Sequence, residues 1–380
     1  MKIGFMGCEP EVLESYWERL DSVADCWWAV TEPELRDYLV QRNISKFVYV
    51  PESYVLDTSK TQGNQRVPVR PGRSQSILAS IITPDLWIAD QLNKLNYVEK
   101  KVPWVQVFHG MPIKSHFFYH MALEYDLLLL PGYYHEREFV RRYQLSQEDR
   151  KRLKVVGWPK VDPLCRGNFD RQELLSAMGL DCTKRTLMYA PTWGLGYGNN
   201  SFFARWFGME AEIFERVCLA ANRLGLNFIV RLHNLSFQVD NLELQQIASK
   251  YNVLWPTRKT TTFKVDDPNE YLWITDILIS DMSSITSEFL VMDRPIIFID
   301  PDEQLEVWQD SDMPKNFRAG SVVKTPDELI AAIEEAVQYP NRYQENRHEM
   351  VQKLYCSTDG RAIDRAVKEI QDFACAVGLE

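Results

Sequence analysis

TDILISDMSSITSEFLVMDRPIIFID, residues 275–300, decides the fold of this chain. The apolar run from Ile277 to Ile279 predicts a buried strand ending at Ser280 and Asp281. Ser283, Ser284 and Thr286 then fall where a helix begins, with Ile285, Phe289 and Met292 spaced along one helical face. Pro295 restarts the chain into a second strand-like run, 296–299. A strand that feeds a helix through small hydroxyl residues gathers unpaired N–H groups and the positive end of a helix dipole, which suits a phosphate. In that reading Asp281 braces the turn. A plain βαβ unit with a serine cap reads the isolated segment equally well, so the rest of the chain must choose.

Working outward, short apolar runs recur at 3–6, 46–50, 104–108, 127–130, 154–156, 186–190 and 227–232. Helical patterns lie between them, as at 209–224, 240–250 and 326–338. Such alternation predicts parallel sheets with helices on both faces. A length of 380 residues exceeds one comfortable core and suggests two domains of roughly 150–200 residues. A boundary near 163–170 divides the chain into 1–165 and 166–380, with the last helix, about 360–376, packing back on the first domain. Two α/β domains of this size would face each other across a cleft, with ligands beyond the carboxyl ends of the strands.

A net charge of −10 argues against general nucleic-acid binding, which needs a basic field. No run approaches the ~18–20 apolar residues of a membrane span, and the N-terminus lacks a signal-peptide core, so a cytoplasmic protein is expected. Seven scattered cysteines without a C-x-x-C pair fit reduced core thiols better than disulfides or a zinc knuckle.

Two histidines follow predicted strands. His109 ends WVQVFHG, and His233 ends NFIVRLHN two residues after Arg231. Imidazoles at strand ends are acid–base candidates, because their unperturbed pKa lies near neutrality; either one alone is as compatible with a structural role. Lys114 could neutralise a phosphate or simply face solvent. Thr192 stands in LMYAPTWG, a strand opening into a glycine-containing loop that could approach a ligand. His116, His120 and Glu124 share a four-residue spacing but lack the His-Glu-x-x-His arrangement, and no metal is expected there. Residues 57–76, with Arg66, Arg70 and Arg73, read as a solvated loop or as a basic loop meeting an anionic substrate. Phe202, Phe203, Trp206 and Phe207 read as buried packing or as a patch for a membrane interface or lipid-linked acceptor. No Walker A, G-x-G-x-x-G or nucleophile-elbow motif occurs.

FHGMPIK (108–114), VVGWPKVDPL (155–164), LMYAPTW (187–193), IVRLH (229–233), ISDMSSITSEFLVMDRPIIF (279–298) and YCSTDGRA (355–362) follow one another in order. Together they resemble the CDP-glycerol glycerophosphotransferase family, the polymerases and primases of teichoic-acid-type polymers, over about 105–365. The resemblance implies the GT-B architecture, two Rossmann-like doubly wound domains with the active site between them. It implies a CDP-glycerol or other CDP-polyol donor, a sugar, polyol phosphate or lipid-linked acceptor, and no cofactor or metal. His109 would be the general base and His233 would hold or protonate the leaving phosphate. Ser283 and Ser284, with Thr286 behind them, would bind the diphosphate, and Glu288 would suit the ribose hydroxyls. Arg231, Lys114 and Thr192 would be further donor contacts. Met111, Lys160, Gly194 and Asn234 depart from the usual family residues around the phosphate and acceptor sites. A lipid-linked acceptor would bring the protein to the inner face of the membrane, through Phe202–Phe207 or the basic stretch around Arg137–Lys154. The shared fold leaves a GT-B glycosyltransferase, a nucleotide-sugar 2-epimerase and a non-catalytic nucleotide-binding protein as alternatives.

Overall fold

A computed structural model of the chain describes residues 1–7, 10–51, 73–90, 102–108, 110–111, 118, 120–192, 211–232, 242–256, 267–281, 283–300 and 317–379. It divides into two compact units. The first comprises Met1–Gly110, Phe118–Lys160 and Arg361–Glu380; the second comprises Met111–Phe117 and Val161–Gly360.

The first unit is built on seven parallel strands: β1 (Lys2–Met6), β2 (Asp25–Val30), β3 (Phe47–Tyr49), β4 (Leu86–Ala89), β5 (Trp104–Val107), β6 (Leu127–Leu130) and β7 (Leu153–Val155). Their order across the sheet is β3-β2-β1-β4-β5-β6-β7. The sheet thus grows one way from β1 and then the other way from β4, the doubly wound topology of dinucleotide-binding folds. β4, β5 and β6 are buried along their whole length, as strands covered on both faces must be. Trp87 stacks on Trp104 at 5.2 Å, and Gly4 makes room for it: a Cβ there would lie 2.4 Å from the Trp87 ring.

The helix Ala362–Ala376 belongs to this unit although it comes after the whole of the second. Ala366, Ile370 and Ala374 form its buried stripe. Lys154 pairs with Glu369 at 3.2 Å, and Arg365 Nε donates to the Val156 carbonyl at 2.7 Å. Gly157 permits this approach. It sits at φ +98°, and a Cβ on it would lie 2.8 Å from that of Ala362.

The second unit holds five parallel strands: β8 (Thr186–Tyr189), β9 (Asn227–Val230), β10 (Ile277–Ser280), β11 (Ile296–Ile299) and β12 (Ser321–Val323), ordered β12-β11-β10-β8-β9. Leu187, Ile277, Ile279, Ile297 and Ile299 form its core with Val217 and Ile333 from the helices Ala211–Arg223 and Pro326–Gln338. β9 and β10 lie on opposite sides of β8, so the winding reverses between β8 and β10. That reversal is the place where sheets of this kind open a crevice at their carboxyl edge.

The strands expected from the sequence are present, joined by β2, β4 and β12. Of those three, β2 is dominated by two tryptophans and β12 is an edge strand with little burial, which blurs their patterns; β4 is as short and as buried as the expected strands, and nothing in its pattern sets it apart. Among the described residues no helix is long and apolar enough to cross a membrane. The cysteines correct one expectation. Cys26 and Cys218 are buried, and burial pushes both thiols up to about 12, but Cys182 and Cys375 are exposed and Cys165 and Cys356 partly so. Thiols are therefore not confined to the core, and none of the six described cysteines forms a disulfide.

Candidate functional site

Three adjacent strands of the second unit end side by side. β8 leaves through Ala190, Pro191 and Thr192, β9 through Arg231 and Leu232, and β10 through Asp281. The first and third exits are tied together. Ala190 N donates to the Ile279 carbonyl at 2.9 Å, and Ser280 Oγ donates to the Ala190 carbonyl at 2.5 Å. Asp281, 1% exposed, then accepts from Thr192 N at 2.9 and 3.0 Å through both carboxylate oxygens, and from Ser283 N at 3.0 Å. A carboxylate that far from water requires such partners, and bonds to an ionised acceptor are the stronger kind.

Beneath the tie lies Tyr189, fully buried, its hydroxyl held un-ionised far above the usual range by burial and then by the Asp281 charge. Arg231 N donates to the Tyr189 carbonyl at 2.8 Å, and its guanidinium carbon lies 4.9 Å from the Tyr271 ring centroid. That stacking orients a planar cation at the β9 exit, beside the switch point.

The helix after β10 is short, Ile285–Phe289, and continues as a 3-10 turn, Leu290–Met292. It corrects the expected apolar face. Phe289 is fully buried, but Ile285 and Met292 are only half-buried, while Thr286, Ser287, Glu288 and Leu290 are buried. A five-residue helix wedged among neighbours has no solvent face to alternate with. Thr286 Oγ1 donates to the Ser283 carbonyl at 2.8 Å, so its proton is committed to shaping the turn. Ser283 and Ser284 are different. Neither their hydroxyls, nor that of Thr192, nor the amides of Ser284 and Ile285 bond another described residue. Five polar groups able to donate a hydrogen bond thus converge around the Asp281 tie.

Glu288 is 2% exposed, on the buried side of the same helix. Its charge, after burial, helps hold Tyr355 un-ionised, and the Tyr355 hydroxyl donates to the Ser287 carbonyl at 2.8 Å. Tyr355 and Tyr271 escaped the sequence reading. Tyr355 lies in the YCSTDGRA motif, which offered a signal; Tyr271 offered none.

His109, Lys114 and His233 lie outside the described residues, as do Phe202–Phe207, Arg66, Arg70 and the remaining departures Gly194 and Asn234. β5 ends two residues before His109, and β9 three before His233. Of the suspected His116–His120–Glu124 face, His120 and Glu124 lie on a 3-10 helix, His120–Glu124, where residues four apart do not superpose. Among the described residues no three His, Cys, Asp or Glu side chains gather as metal ligands do.

The first sheet carries its own aspartate at its own reversal point. Asp90, fully buried, follows β4, and Gly7 follows β1. A Cβ on Gly7 would lie 2.2 Å from Asp90 Oδ1, so only glycine fits beneath that carboxylate.

Two parallel, doubly wound sheets of this topology define the GT-B class. The wall teichoic acid polymerase TagF has the same fold, with a TM-score of 0.68 at 18% identity, covering 99% of this chain and 89% of that one. The chain matches the family described as CDP-Glycerol:Poly(glycerophosphate) glycerophosphotransferase over residues 5–372, and it belongs to that family. It is 27% identical over 271 residues to a teichoic acid poly(glycerol phosphate) polymerase of Bacillus spizizenii, covering 63% of each chain. With a teichoic acid glycerol-phosphate transferase of Staphylococcus aureus it shares 22% over 331 residues, 78% of this chain and 76% of that one. Teichoic acid ribitol-phosphate polymerases match as well. The chain spans 63% of the Bacillus spizizenii polymerase but only 32% of one from Bacillus subtilis. A UDP-GlcNAc 2-epimerase from Neisseria meningitidis shares the fold at a TM-score of 0.61 and 12% identity, covering 98% of this chain and 100% of that one.

Proposed function

We propose that the protein transfers glycerol phosphate, or a related polyol phosphate, from a CDP-polyol donor to a hydroxyl acceptor in teichoic-acid-type or capsule polymer synthesis, releasing CMP. The single observation that carries this reading is the set of donors around Asp281 at the β8/β10 reversal. The hydroxyls of Thr192, Ser283 and Ser284 and the amides of Ser284 and Ile285 suit the oxygens of a diphosphate. Arg231, stacked on Tyr271, supplies a cation at the neighbouring exit.

In the reaction, an acceptor hydroxyl attacks the β-phosphorus of the donor. The new O–P bond forms as the bridging bond to the α-phosphate breaks, and CMP departs. His109 takes the acceptor proton; His233 protonates or holds the oxygen that leaves. Such transfers are catalysed mainly by positioning and by stabilising charge on the phosphoryl oxygens. Lys114 adds charge, Thr286 shapes the serine turn, and Glu288 serves the ribose only where it can emerge from its buried position. The acceptor is a sugar, polyol phosphate or lipid-linked hydroxyl, and contact with a membrane surface follows in the lipid-linked case.

CMP release from CDP-glycerol in the presence of an acceptor tests the reading. General-base help amounts to about 10²–10⁴-fold, so His109→Ala should lower turnover by that order while donor binding stays measurable. The shared epimerase fold favours one rival, in which UDP is released from a UDP-sugar instead. A thermal-shift screen of cytidine and uridine nucleotides separates the two, since a bound donor stabilises by an amount that grows with the logarithm of its concentration over Kd. No shift with any cytidine nucleotide sinks the proposal.

A further inference from the structure

The tie at Asp281 joins two segments 89 residues apart, and the hydroxyls of the residues it joins have no partner among the described residues. Past a reversal point, neighbouring strands send their chains in opposite directions. The bonds of Ala190 to Ile279 and Ser280 hold the two exits as far as residue 190, and beyond it the sheet ladder no longer fixes their spacing. Here one carboxylate does so. It grips the Thr192 amide with both oxygens and the Ser283 amide with one. Thr192 N and Ser283 N are consequently spent on the protein and cannot serve a ligand. The Thr192 and Ser283 hydroxyls, left without a partner among the described residues, follow different strands and can act on one anion only while the tie holds.

We infer that Asp281 is a positioning residue, which makes the Thr192 hydroxyl and the Ser283–Ile285 turn act as one oxyanion-binding unit for the donor diphosphate. The inference rests on the donor assignment above for the identity of the anion, and on the geometry alone for the coupling. It has an unusual electrostatic corollary. The carboxylate lies beside an anion site, so its charge opposes binding while its geometry promotes it. Removing the charge and weakening the tie together would tighten diphosphate binding if geometry were irrelevant, and loosen it if geometry governs.

Asp281→Asn makes that separation, since it keeps the size, loses the charge, and presents a donor to at least one of the two amides. Calorimetric titration of the full-length protein with CDP and with cytidine gives the readout. We expect Asp281→Asn to weaken CDP about tenfold while cytidine binding stays within about twofold. Thr192→Ala should weaken CDP by a few-fold in the parent but by nothing further in the Asp281→Asn background. Multiplying losses, or tighter CDP binding by Asp281→Asn, would overturn the inference, as would equal losses for CDP and cytidine. Should Asp281→Asn fail to fold, Asp281→Glu carries the same cycle, because it keeps the charge and shifts the tie by one methylene. Turnover keeps the two hypotheses apart. A parent that binds CDP but transfers nothing contradicts the proposed function and leaves this cycle intact. A parent that binds UDP instead contradicts the cytidine donor, and the cycle is then read with UDP and uridine. A parent that binds neither diphosphate overturns both.

Discussion

His135 shows how much one buried side chain can dictate. It lies fully buried in the first unit, stacked on Phe118, with Nδ1 3.3 Å from the Gly132 carbonyl. Burial pushes its pKa down to about 3, and the Gly132 contact opposes that only weakly. An unfolded histidine titrates near 6.5, so below that pH the unfolded chain takes up a proton that the folded one refuses. Above about pH 6.5 the residue contributes no pH dependence. Stability should fall as pH drops from about 6.5 toward 3, by up to about 1.4 kcal/mol per unit. Urea unfolding of the His135→Asn variant between pH 6.5 and 4.5 should show that slope reduced by one proton's worth; an unchanged slope would assign the acid sensitivity elsewhere. Asp293 behaves oppositely. Burial resists its ionisation, yet bonds from Gln344, Arg347 and His348 outweigh it and hold its carboxyl below the usual range. Its stabilisation is present above the unfolded carboxylate pKa and disappears only as pH falls through the lower folded one.

Among the elements, the helix Pro326–Gln338 is the most completely specified by its own sequence. Thr325 accepts from Glu328 N at 3.2 Å, Pro326 occupies the first turn, and Glu328 reaches back to Lys324 N at 2.7 Å. Thr325→Ala should cost about 0.5–2 kcal/mol by chemical denaturation, with the helix retained because the Glu328 contact survives. Elements of this kind were legible from residues alone, as were the two runs flanking the serines at 283 and 284, because their signals are local. The brace role of Asp281 was legible too, but not its grip on Thr192, since nothing in a sequence says that two exits 89 residues apart are neighbours. The short helix Ile285–Phe289 misled for a related reason: its burial follows from what surrounds it rather than from a period of its own. Glu288 belongs to the same class, a charge expected to meet the ribose hydroxyls and found buried.

At the scale of the whole molecule, two distant motifs meet where the chain changes units. Arg166 donates to the Gly360 carbonyl at 2.8 Å within the second unit, and Gly157 admits the helix Ala362–Ala376 within the first. The glycines of VVGWPK and STDGR are therefore packing requirements, and their family likeness need not signal chemistry. Gly157→Ala combines a left-handed backbone with a steric clash, whereas Gly225→Ala, at φ +65° with open space around it, meets only the first. Melting of the two variants should differ, with Gly157→Ala losing more than the ~1–2 kcal/mol of the conformational cost and Gly225→Ala losing about that amount. Equal losses would mean that the final helix yields easily.

That helix has a consequence for the order in which the protein is made. A ribosome delivers the seven strands of the first sheet long before it delivers residues 362–376, and Val161–Gly360, with every strand of the second sheet, is synthesised in between. Domains usually fold as they emerge, N-terminal first. Here the earlier unit must wait, its buried stripe of Ala366, Ile370 and Ala374 still untranslated, while the later one completes its own sheet from contiguous chain. The unit built first in time is thus the one finished last.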